Sequence, residues 1–242
     1  MSSDDAADDT PALRPDTLAA LQAFLAEKAA AEEAASKEAE DGAASLATTE
    51  SWQLSQFWYS EATSRFLAEE VGRCAAAAAA ASPAPPLAVF LSSPSAFKAY
   101  RAAFPAAPAA LLEFDERFAC FGAAFSRYDY NRPLELPPHL LGAAAVLMLD
   151  PPFLQRDCLA AFAQSVRALA APGGARVLLA TGAVQLRAAR ELLGLRPTRA
   201  AVEHAGGRLS NPFKLFASYE GGAELGGWDV EAEAAEEVEA AA

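Results

Sequence analysis

The sequence predicts an α/β fold in which an open, mostly parallel sheet ends in an antiparallel hairpin. Short apolar runs alternate with amphipathic helical segments between residues 51 and 220, which is the pattern of a parallel sheet covered by helices. One run, Ala144–Leu149, is apolar throughout, as strands that are buried on both faces are. Two consecutive glycines, Gly206 and Gly207, separate two late apolar segments and indicate a hairpin.

The predicted helices and strands follow one another in regular order. A helix over residues 61–81 comes first and places Phe66, Leu67 and Val71 on one face. The predicted parallel strands are Leu87–Leu91, 110–114, Ala144–Leu149 and 176–181. The predicted helices among them are 94–104, 154–171 and 184–193, and the predicted hairpin strands are 199–203 and 213–219.

The two ends of the chain differ from the segment between them. Residues 1–14 are acidic and almost free of large apolar side chains, so we expect disorder. A helix is predicted over residues 15–37, and a linker continues from it to residue 50. Residues 221–242 are rich in Gly, Glu and Ala, and we expect them to be disordered as well. The folded domain is therefore predicted to span residues 51–220.

The formal net charge of −13 is concentrated at the two ends of the chain. Residues 1–50 carry −9 and residues 221–242 carry −7, which leaves residues 51–220 at +3. This domain has no basic cluster, and such a cluster is what a nucleic-acid partner requires. We interpret the acidic ends as solubilising segments, or as segments that steer the chain toward a basic protein.

Composition also excludes several classes of protein. The first residues lack the basic and apolar regions of a signal peptide, and no run approaches the ~18–20 apolar residues of a membrane span. Three widely spaced cysteines and two histidines, His139 and His204, favour neither a disulfide framework nor a zinc site. We therefore expect a soluble, cytoplasmic, monomeric protein that holds no metal.

The strongest chemical signal is the sequence Asp150-Pro151-Pro152-Phe153 at the carboxyl end of a buried strand. Open α/β sheets bind their ligands at this edge. The two prolines fix the backbone and remove two N–H donors, so carbonyl oxygens remain free to accept. An acceptor-rich rim beside an aromatic ring suits an amine that must be desolvated and aimed. A plain proline turn with a surface aspartate is the alternative interpretation.

This motif and several other segments resemble one family of enzymes. Asp-Pro-Pro-Phe after the fourth strand is similar to the signature of S-adenosylmethionine-dependent methyltransferases that modify amino groups. The further matching segments are 55–60, 113–118, 128–131, 181–183 and 211–213. Together they resemble the eukaryotic protein-lysine methyltransferases that modify translation elongation factor 1-alpha, a family once described as N6-adenine DNA methyltransferases. The resemblance covers about residues 50–220 and implies a Rossmann-like class I methyltransferase fold with S-adenosylmethionine as cofactor.

The resemblance assigns cofactor binding to loops at the carboxyl edge of the sheet. Ser92, Ser93 and Pro94 stand where such enzymes usually have a glycine-rich loop, and the serines could equally be helix caps. An acidic residue after the second strand can accept both ribose hydroxyls. Glu113 and Asp115 compete for this role, and we favour Asp115 because it lies where the loop over the cofactor begins.

Aromatic loops supply the remaining candidates for the cofactor site. Asp129 is expected to receive the adenine amino group, while Tyr128 or Tyr130 stacks on the base or simply belongs to the core. The segment before the first domain helix is expected to cover the cofactor, to plug the sheet, or to do both. It consists of Gln56, Phe57, Trp58 and Tyr59, followed by Ser60.

The implied reaction is direct displacement of a sulfonium methyl group by a lysine ε-amine of elongation factor 1-alpha. Asp150 and the Pro151 carbonyl would accept the hydrogens of the amine, and Pro152 and Phe153 would complete the catalytic corner. Burial would lower the pKa of the lysine from about 10.4 and favour its neutral form. Two alternatives remain: an N6-adenine nucleic-acid methyltransferase, which would hold an exocyclic amine in the same corner, and a non-catalytic scaffold of the same fold.

Overall fold

The computed structural model describes residues 58–81, 85–205 and 211–241, all within the compact unit that spans residues 50–242. Several sequence predictions lie outside the described residues: the N-terminal tail, helix and linker, the side chains of Gln56 and Phe57, and the turn at Gly206 and Gly207.

Seven strands form a single sheet among the described residues. They are β1 (Leu87–Leu91), β2 (Ala109–Glu113), β3 (Phe125–Arg127), β4 (Ala144–Leu149), β5 (Arg176–Gly182), β6 (Arg196–Pro197) and β7 (Phe213–Ala217). Their order across the sheet is β3-β2-β1-β4-β5-β7-β6. The first five strands are parallel, whereas β7 runs antiparallel to both β5 and β6. This confirms the predicted mostly parallel sheet with an antiparallel end.

Helices cover both faces of the sheet. They are α1 (Glu61–Ala79), α2 (Pro94–Ala103), α3 (Arg156–Leu169), α4 (Leu186–Leu193) and α5 (Val230–Ala241). The Ser60 hydroxyl accepts a hydrogen bond from the Thr63 N–H and so caps the start of α1. Gly194 ends α4 in the left-handed conformation, with φ of 67°. Among the described helices none has the length and apolar content needed to cross a bilayer.

The core has two halves because successive strand residues point to opposite faces of the sheet. On β1, Val89 and Leu91 belong to the half that includes α3 and α4. Ala88 and Phe90 belong to the half that includes α1 and α2. The sheet is thereby sealed on both faces, which leaves its carboxyl edge as the place for a site.

The antiparallel end differs from the prediction. The strand predicted over residues 199–203 is wrong: β6 comes earlier and is only two residues long. It is short because the chain turns away from β7 after Thr198, whose N–H still donates to Leu215 of β7 and which also pairs with Trp228. The Arg199 N–H then donates to the Gly227 carbonyl rather than to β7. Strand β3 was also not predicted, since its three residues carry no strand pattern of their own.

The C-terminal segment was predicted to be disordered, and the structure corrects this. A short 3₁₀ turn at Ala223–Leu225 precedes α5, and Leu225 is fully buried in the core half that includes α1. Glu233 of α5 accepts two hydrogen bonds from the Arg196 guanidinium, at 2.8 and 2.7 Å. The acidic residues of this segment find basic partners far away in the sequence, and composition cannot show such pairs.

Replacing Gly221 with alanine is expected to destabilise this segment. A Cβ at Gly221 would lie 2.1 Å from Leu225 Cδ1 and 2.7 Å from Leu225 Cβ, so the buried leucine would have to move. Overpacking of this kind costs about 1–3 kcal/mol of unfolding free energy, measurable by urea denaturation. The matched control is Gly222→Ala, whose Cβ would meet only the Glu224 carboxylate, at 3.2 Å. Equal unfolding free energies for the two variants would contradict the packing described here.

Candidate active site

The ends of β1, β2 and β4 bring the chemical residues together at the carboxyl edge of the sheet. Asp150 follows β4, and its N–H donates to the Leu91 carbonyl at the end of β1, at 3.1 Å. The Ser92 N–H donates in turn to the Leu112 carbonyl of β2, at 2.8 Å. These backbone hydrogen bonds fix Asp150, Ser92 and Glu113 on adjacent strand ends.

Asp150 is held in a poorly solvated position. The pKa of its carboxyl is raised to about 8, chiefly by desolvation and also by the negative charge of Glu113. The Tyr59 hydroxyl acts in the opposite direction by favouring the ionised form. Pro151 is buried behind Asp150, while Phe153 is 38 % exposed. The motif therefore combines a partly buried, poorly solvated acid with an accessible aromatic wall.

Residues 58–60 lie across this edge and are held by residues 203–205. The Ser60 N–H donates to the Glu203 carbonyl and the Ala205 N–H to the Trp58 carbonyl, both at 2.8 Å. Tyr59, between them, is only 4 % exposed. This segment was predicted to cover the cofactor, to plug the sheet, or to do both. The burial of Tyr59 in the core fits the second role.

Trp58 packs edge-to-face on Phe118, with ring centroids 6.1 Å apart. Phe118 itself is fully buried in the 3₁₀ segment Glu116–Ala124, which follows β2. The indole therefore joins the segment before α1 to the loop after β2, at the same edge of the sheet as Glu113.

Glu113 and Asp115 differ sharply in their partners. One oxygen of Glu113, Oε1, accepts the N–H groups of Phe114 at 2.8 Å and Asp115 at 3.1 Å. Among the described residues its second oxygen, Oε2, has no hydrogen-bond partner. Burial raises the pKa of Glu113 to about 7. This carboxyl is thus buried, oriented and still able to accept.

Asp115 is instead engaged by Arg117. The guanidinium donates to Asp115 Oδ2 from Nε at 2.9 Å and from Nη2 at 2.6 Å, and the Arg117 N–H donates to Oδ1 at 3.0 Å. A carboxylate that already accepts several hydrogen bonds has fewer lone pairs left for a ligand. Glu113 therefore has an oxygen left to accept from a ligand, whereas both oxygens of Asp115 already accept from Arg117.

The serine loop after β1 carries a hydroxyl without a partner. Ser93 is fully buried, and its Oγ makes no hydrogen bond within the described part of the chain. It precedes α2 but does not cap it with its side chain, and Pro94 opens the helix. Ser92 adopts a φ of 52°, a strained conformation for a residue with a Cβ. Helix capping thus does not account for Ser93, whereas a bound polar ligand would.

The loop after β3 divides its residues between the core and the site. The Tyr128 hydroxyl is hydrogen-bonded to Ser165 at 2.8 Å inside the core, so Tyr128 is a packing residue. Asp129 uses Oδ1 to accept from Asn131, leaving Oδ2 for other donors. Tyr130 packs edge-to-face against Phe153, with ring centroids 5.8 Å apart.

One contact was not found by sequence reasoning, that of the Tyr130 ring with the Phe153 ring. The two residues come from different loops, and nothing in the local sequence predicts that they are in contact. The site as a whole offers carboxyl groups that ionise poorly, an unsatisfied hydroxyl and an aromatic wall. Such a set suits a ligand that carries both hydroxyl groups and positive charge.

Comparisons with known proteins agree on one family. The family model described as probable N6-adenine methyltransferase matches residues 50–221. A human protein named EEF1A lysine methyltransferase 1 is 35 % identical over 229 residues, covering 90 % of this chain and 97 % of the relative. A protein-lysine N-methyltransferase of Caenorhabditis elegans is 37 % identical over 221 residues, covering 88 % of this chain and 96 % of the relative.

A solved structure supports the fold. The branched-chain polyamine synthase of Thermus thermophilus, crystallised as a mutein with N4-aminopropylspermidine and 5′-methylthioadenosine, superposes with a TM-score of 0.50. Its sequence identity is 17 %, and the match covers 78 % of this chain and 62 % of the synthase. The likeness extends to the fold alone.

Proposed function

The chain belongs to the family described as probable N6-adenine methyltransferases, and from this premise we propose that it is an S-adenosylmethionine-dependent protein-lysine N-methyltransferase acting on translation elongation factor 1-alpha. The observation that carries the proposal is the corner formed by Asp150, Pro151, Pro152 and Phe153, in which a poorly solvated acid lies beside an aromatic wall. Relatives across nearly their full length bear protein-lysine methyltransferase names, which supports lysine rather than adenine as the acceptor.

The residues at the edge of the sheet fit S-adenosylmethionine. When bound, this cofactor supplies a methyl group on a positively charged sulfur. Glu113 would accept hydrogen bonds from ribose hydroxyls through Oε2, and Ser93 Oγ would gain the partner that it lacks. Asp129 Oδ2 would accept from the adenine amino group. A cation near Glu113 and Asp150 would also lower the pKa of both carboxyls and so relieve the cost of ionising them.

Asp150 is suited to handle the proton of the lysine. A protonated ε-amine has no lone pair, so it must lose a proton before it can attack. A carboxyl with a pKa of about 8 is a much stronger base than an ordinary aspartate, and a base works best when its pKa lies near the working pH. Asp150 Oδ would take the proton, and the Pro151 carbonyl would accept a remaining N–H hydrogen and aim the lone pair.

The aromatic pair of Tyr130 and Phe153 would exclude water from the amine. Their rings meet edge-to-face on one side of the corner, and Phe153 is exposed enough to be reached by a substrate side chain. Removal of water lowers the pKa of an amine and raises the fraction with a free lone pair. We also propose that the protein is a monomer and that it is located in the cytoplasm.

Methyl transfer and cofactor binding together test the proposal. Radiolabelled S-adenosylmethionine is incubated with the protein and either elongation factor 1-alpha or duplex DNA, while calorimetry measures cofactor binding. We expect binding and label on the protein substrate alone. Label on DNA adenine would make the chain a nucleic-acid methyltransferase, and absence of cofactor binding would make it a scaffold. Either result would overturn the proposal.

A further inference from the structure

The loop that carries the Asp150–Phe153 motif packs against a position on β5 that has no side chain. Gly182 ends this strand, and the site that its Cβ would occupy lies 2.9 Å from Leu154 Cδ1 and 3.0 Å from Leu154 Cδ2. The methyl groups of Leu154, the residue directly after Phe153, therefore fill the space that a side chain at Gly182 would take. A residue larger than glycine would displace them, because packed interiors leave no spare room.

Space, and not backbone conformation, requires glycine at this position. Gly182 has a φ of −63° and a ψ of 143°, an extended conformation that residues with a side chain also adopt. Its backbone is held by β7, because Gly182 pairs with Phe213 in the sheet. The next residue continues this tie, since the Ala183 N–H donates to the Pro212 carbonyl at 2.8 Å. If a side chain were added at residue 182, Leu154 would have to move rather than the strand.

The loop after β4 depends on side-chain packing for its position. Among the described residues, no backbone–backbone hydrogen bond is made by residues 151–154. Two of these residues, Pro151 and Pro152, have no N–H to donate. The last backbone hydrogen bond before this stretch is that of the Asp150 N–H with the Leu91 carbonyl. Side-chain contacts must therefore fix this part of the motif.

Two consecutive side chains support the loop from different strands. The Phe153 ring contacts the Tyr130 ring, which belongs to the loop after β3. Leu154 lies against Gly182 at the end of β5. In the strand order β3-β2-β1-β4-β5, these two supports lie on either side of β4. A shift of Leu154 would therefore move Phe153 relative to Tyr130 and open the aromatic wall.

We propose that Gly182 is a positioning residue for methyl transfer: it leaves room for Leu154 and thereby holds Phe153 where the substrate amine is desolvated and aimed. This inference rests on the proposed function, because it assigns Gly182 a role through the aromatic wall of that reaction. A misplacement of about 1 Å can cost about a hundredfold in rate, even when it originates away from the reacting atoms. Leu154 transmits the effect, so a shorter side chain there should compensate for a side chain at residue 182.

Replacing Gly182 with alanine tests the inference. At a temperature well below unfolding, we expect the kcat for lysine methylation to fall about ten- to hundredfold, because Phe153 is displaced. The dissociation constant for S-adenosylmethionine should stay nearly unchanged, since Glu113 and Ser93 lie at the ends of β2 and β1. An unchanged kcat in Gly182→Ala would overturn the inference.

A compensating substitution distinguishes positioning from a loss of stability. Leu154→Val removes the one carbon that Gly182→Ala adds, so the double variant conserves the packed volume. Its kcat should be at least about fivefold higher than that of Gly182→Ala, because residues in contact are not additive. Urea denaturation of each variant checks that it is folded under the assay conditions. A double variant as slow as Gly182→Ala would show that the effect does not pass through Leu154, and the inference would fail.

Fluorine-19 NMR without cofactor or substrate separates this inference from the proposed function. The protein is labelled with fluorophenylalanine, and Phe153→Leu assigns the signal of Phe153. This signal should shift in Gly182→Ala and return toward its parent position in the double variant with Leu154→Val, even if no methyl transfer is found. An unshifted signal in Gly182→Ala would contradict the role of Gly182 whatever the activity.

Gly173→Ala is the matched control. A Cβ at Gly173, which lies before β5 at the opposite edge of the sheet, would meet no atom of a more distant residue within 4 Å. This variant should leave both kcat and the Phe153 signal unchanged. Equal effects of Gly173→Ala and Gly182→Ala would mean that the contact with Leu154 is not the cause, and this result would overturn the inference.

Discussion

Replacing Asp150 with asparagine lowers the kcat for lysine methylation by about a hundred- to ten-thousandfold, the range expected when a general base is removed. The amide is nearly the same shape as the carboxyl but cannot take a proton from the substrate ammonium. The Pro151 carbonyl and the aromatic wall remain, so cofactor binding should be retained. Steady-state methylation and calorimetry measure the two quantities.

The same replacement is expected to stabilise the fold. Burial raises the pKa of Asp150 to about 8 in the folded protein, far above its value in the unfolded chain. Stability is therefore greatest below about pH 4 with respect to this group and falls as pH rises toward 8, because the unfolded state ionises more readily. Asparagine removes this penalty and should add on the order of 2 kcal/mol at pH 8, after allowance for partial solvation.

A matched control distinguishes the predicted loss of kcat and gain of stability in Asp150→Asn from a general effect of removing an acid. Asp157 lies in the first turn of α3 and is exposed. Asp157→Asn should change both kcat and the midpoint of thermal unfolding only slightly. If Asp150→Asn retained normal turnover, Asp150 would not be the base. If it lost stability at pH 8, the pKa of Asp150 would not be raised in the folded protein.

Replacing Glu113 with glutamine weakens S-adenosylmethionine binding by about ten- to hundredfold. The carboxyl is buried, and Oε2 is the oxygen that remains able to accept ribose hydroxyls. An amide nitrogen cannot accept, and hydrogen bonds to charged groups contribute about 1.5–3 kcal/mol each. Calorimetric dissociation constants check this expectation.

The corresponding variant Asp115→Asn decides between the two acids. It weakens the contact with Arg117 and should loosen the start of the 3₁₀ segment, but raise the dissociation constant by less than about threefold. A larger loss of affinity in Asp115→Asn than in Glu113→Gln would return the ribose role to Asp115, as the sequence alone had favoured.

The sequence predicted correctly those strands and helix ends whose signal lies in neighbouring residues. The run Ala144–Leu149 is a strand because apolar residues on both faces need burial on both sides. The helix before Gly194 ends where glycine permits a left-handed residue. By contrast, α5 was missed because the partners of Glu233, including Arg196, lie far away in the sequence.

The site shows the same limit. The motif that begins at Asp150 could be selected from the sequence because its prolines and its place after a strand are local features. The sequence could not show that Arg117, two residues away, donates to both oxygens of Asp115, because this contact depends on how the loop turns. The contact of the Tyr130 ring with the Phe153 ring joins two different loops and has no local signal in the sequence.

Peptide mass spectrometry of elongation factor 1-alpha is the most direct test of the central claim. The substrate is incubated with S-adenosylmethionine and either the parent protein or Asp150→Asn, digested, and searched for methylated lysine. The account predicts lysine methylation that depends on the parent protein and is lost with the variant. Unmodified lysines after incubation with a parent protein that binds the cofactor, or equal methylation by the variant, would contradict it.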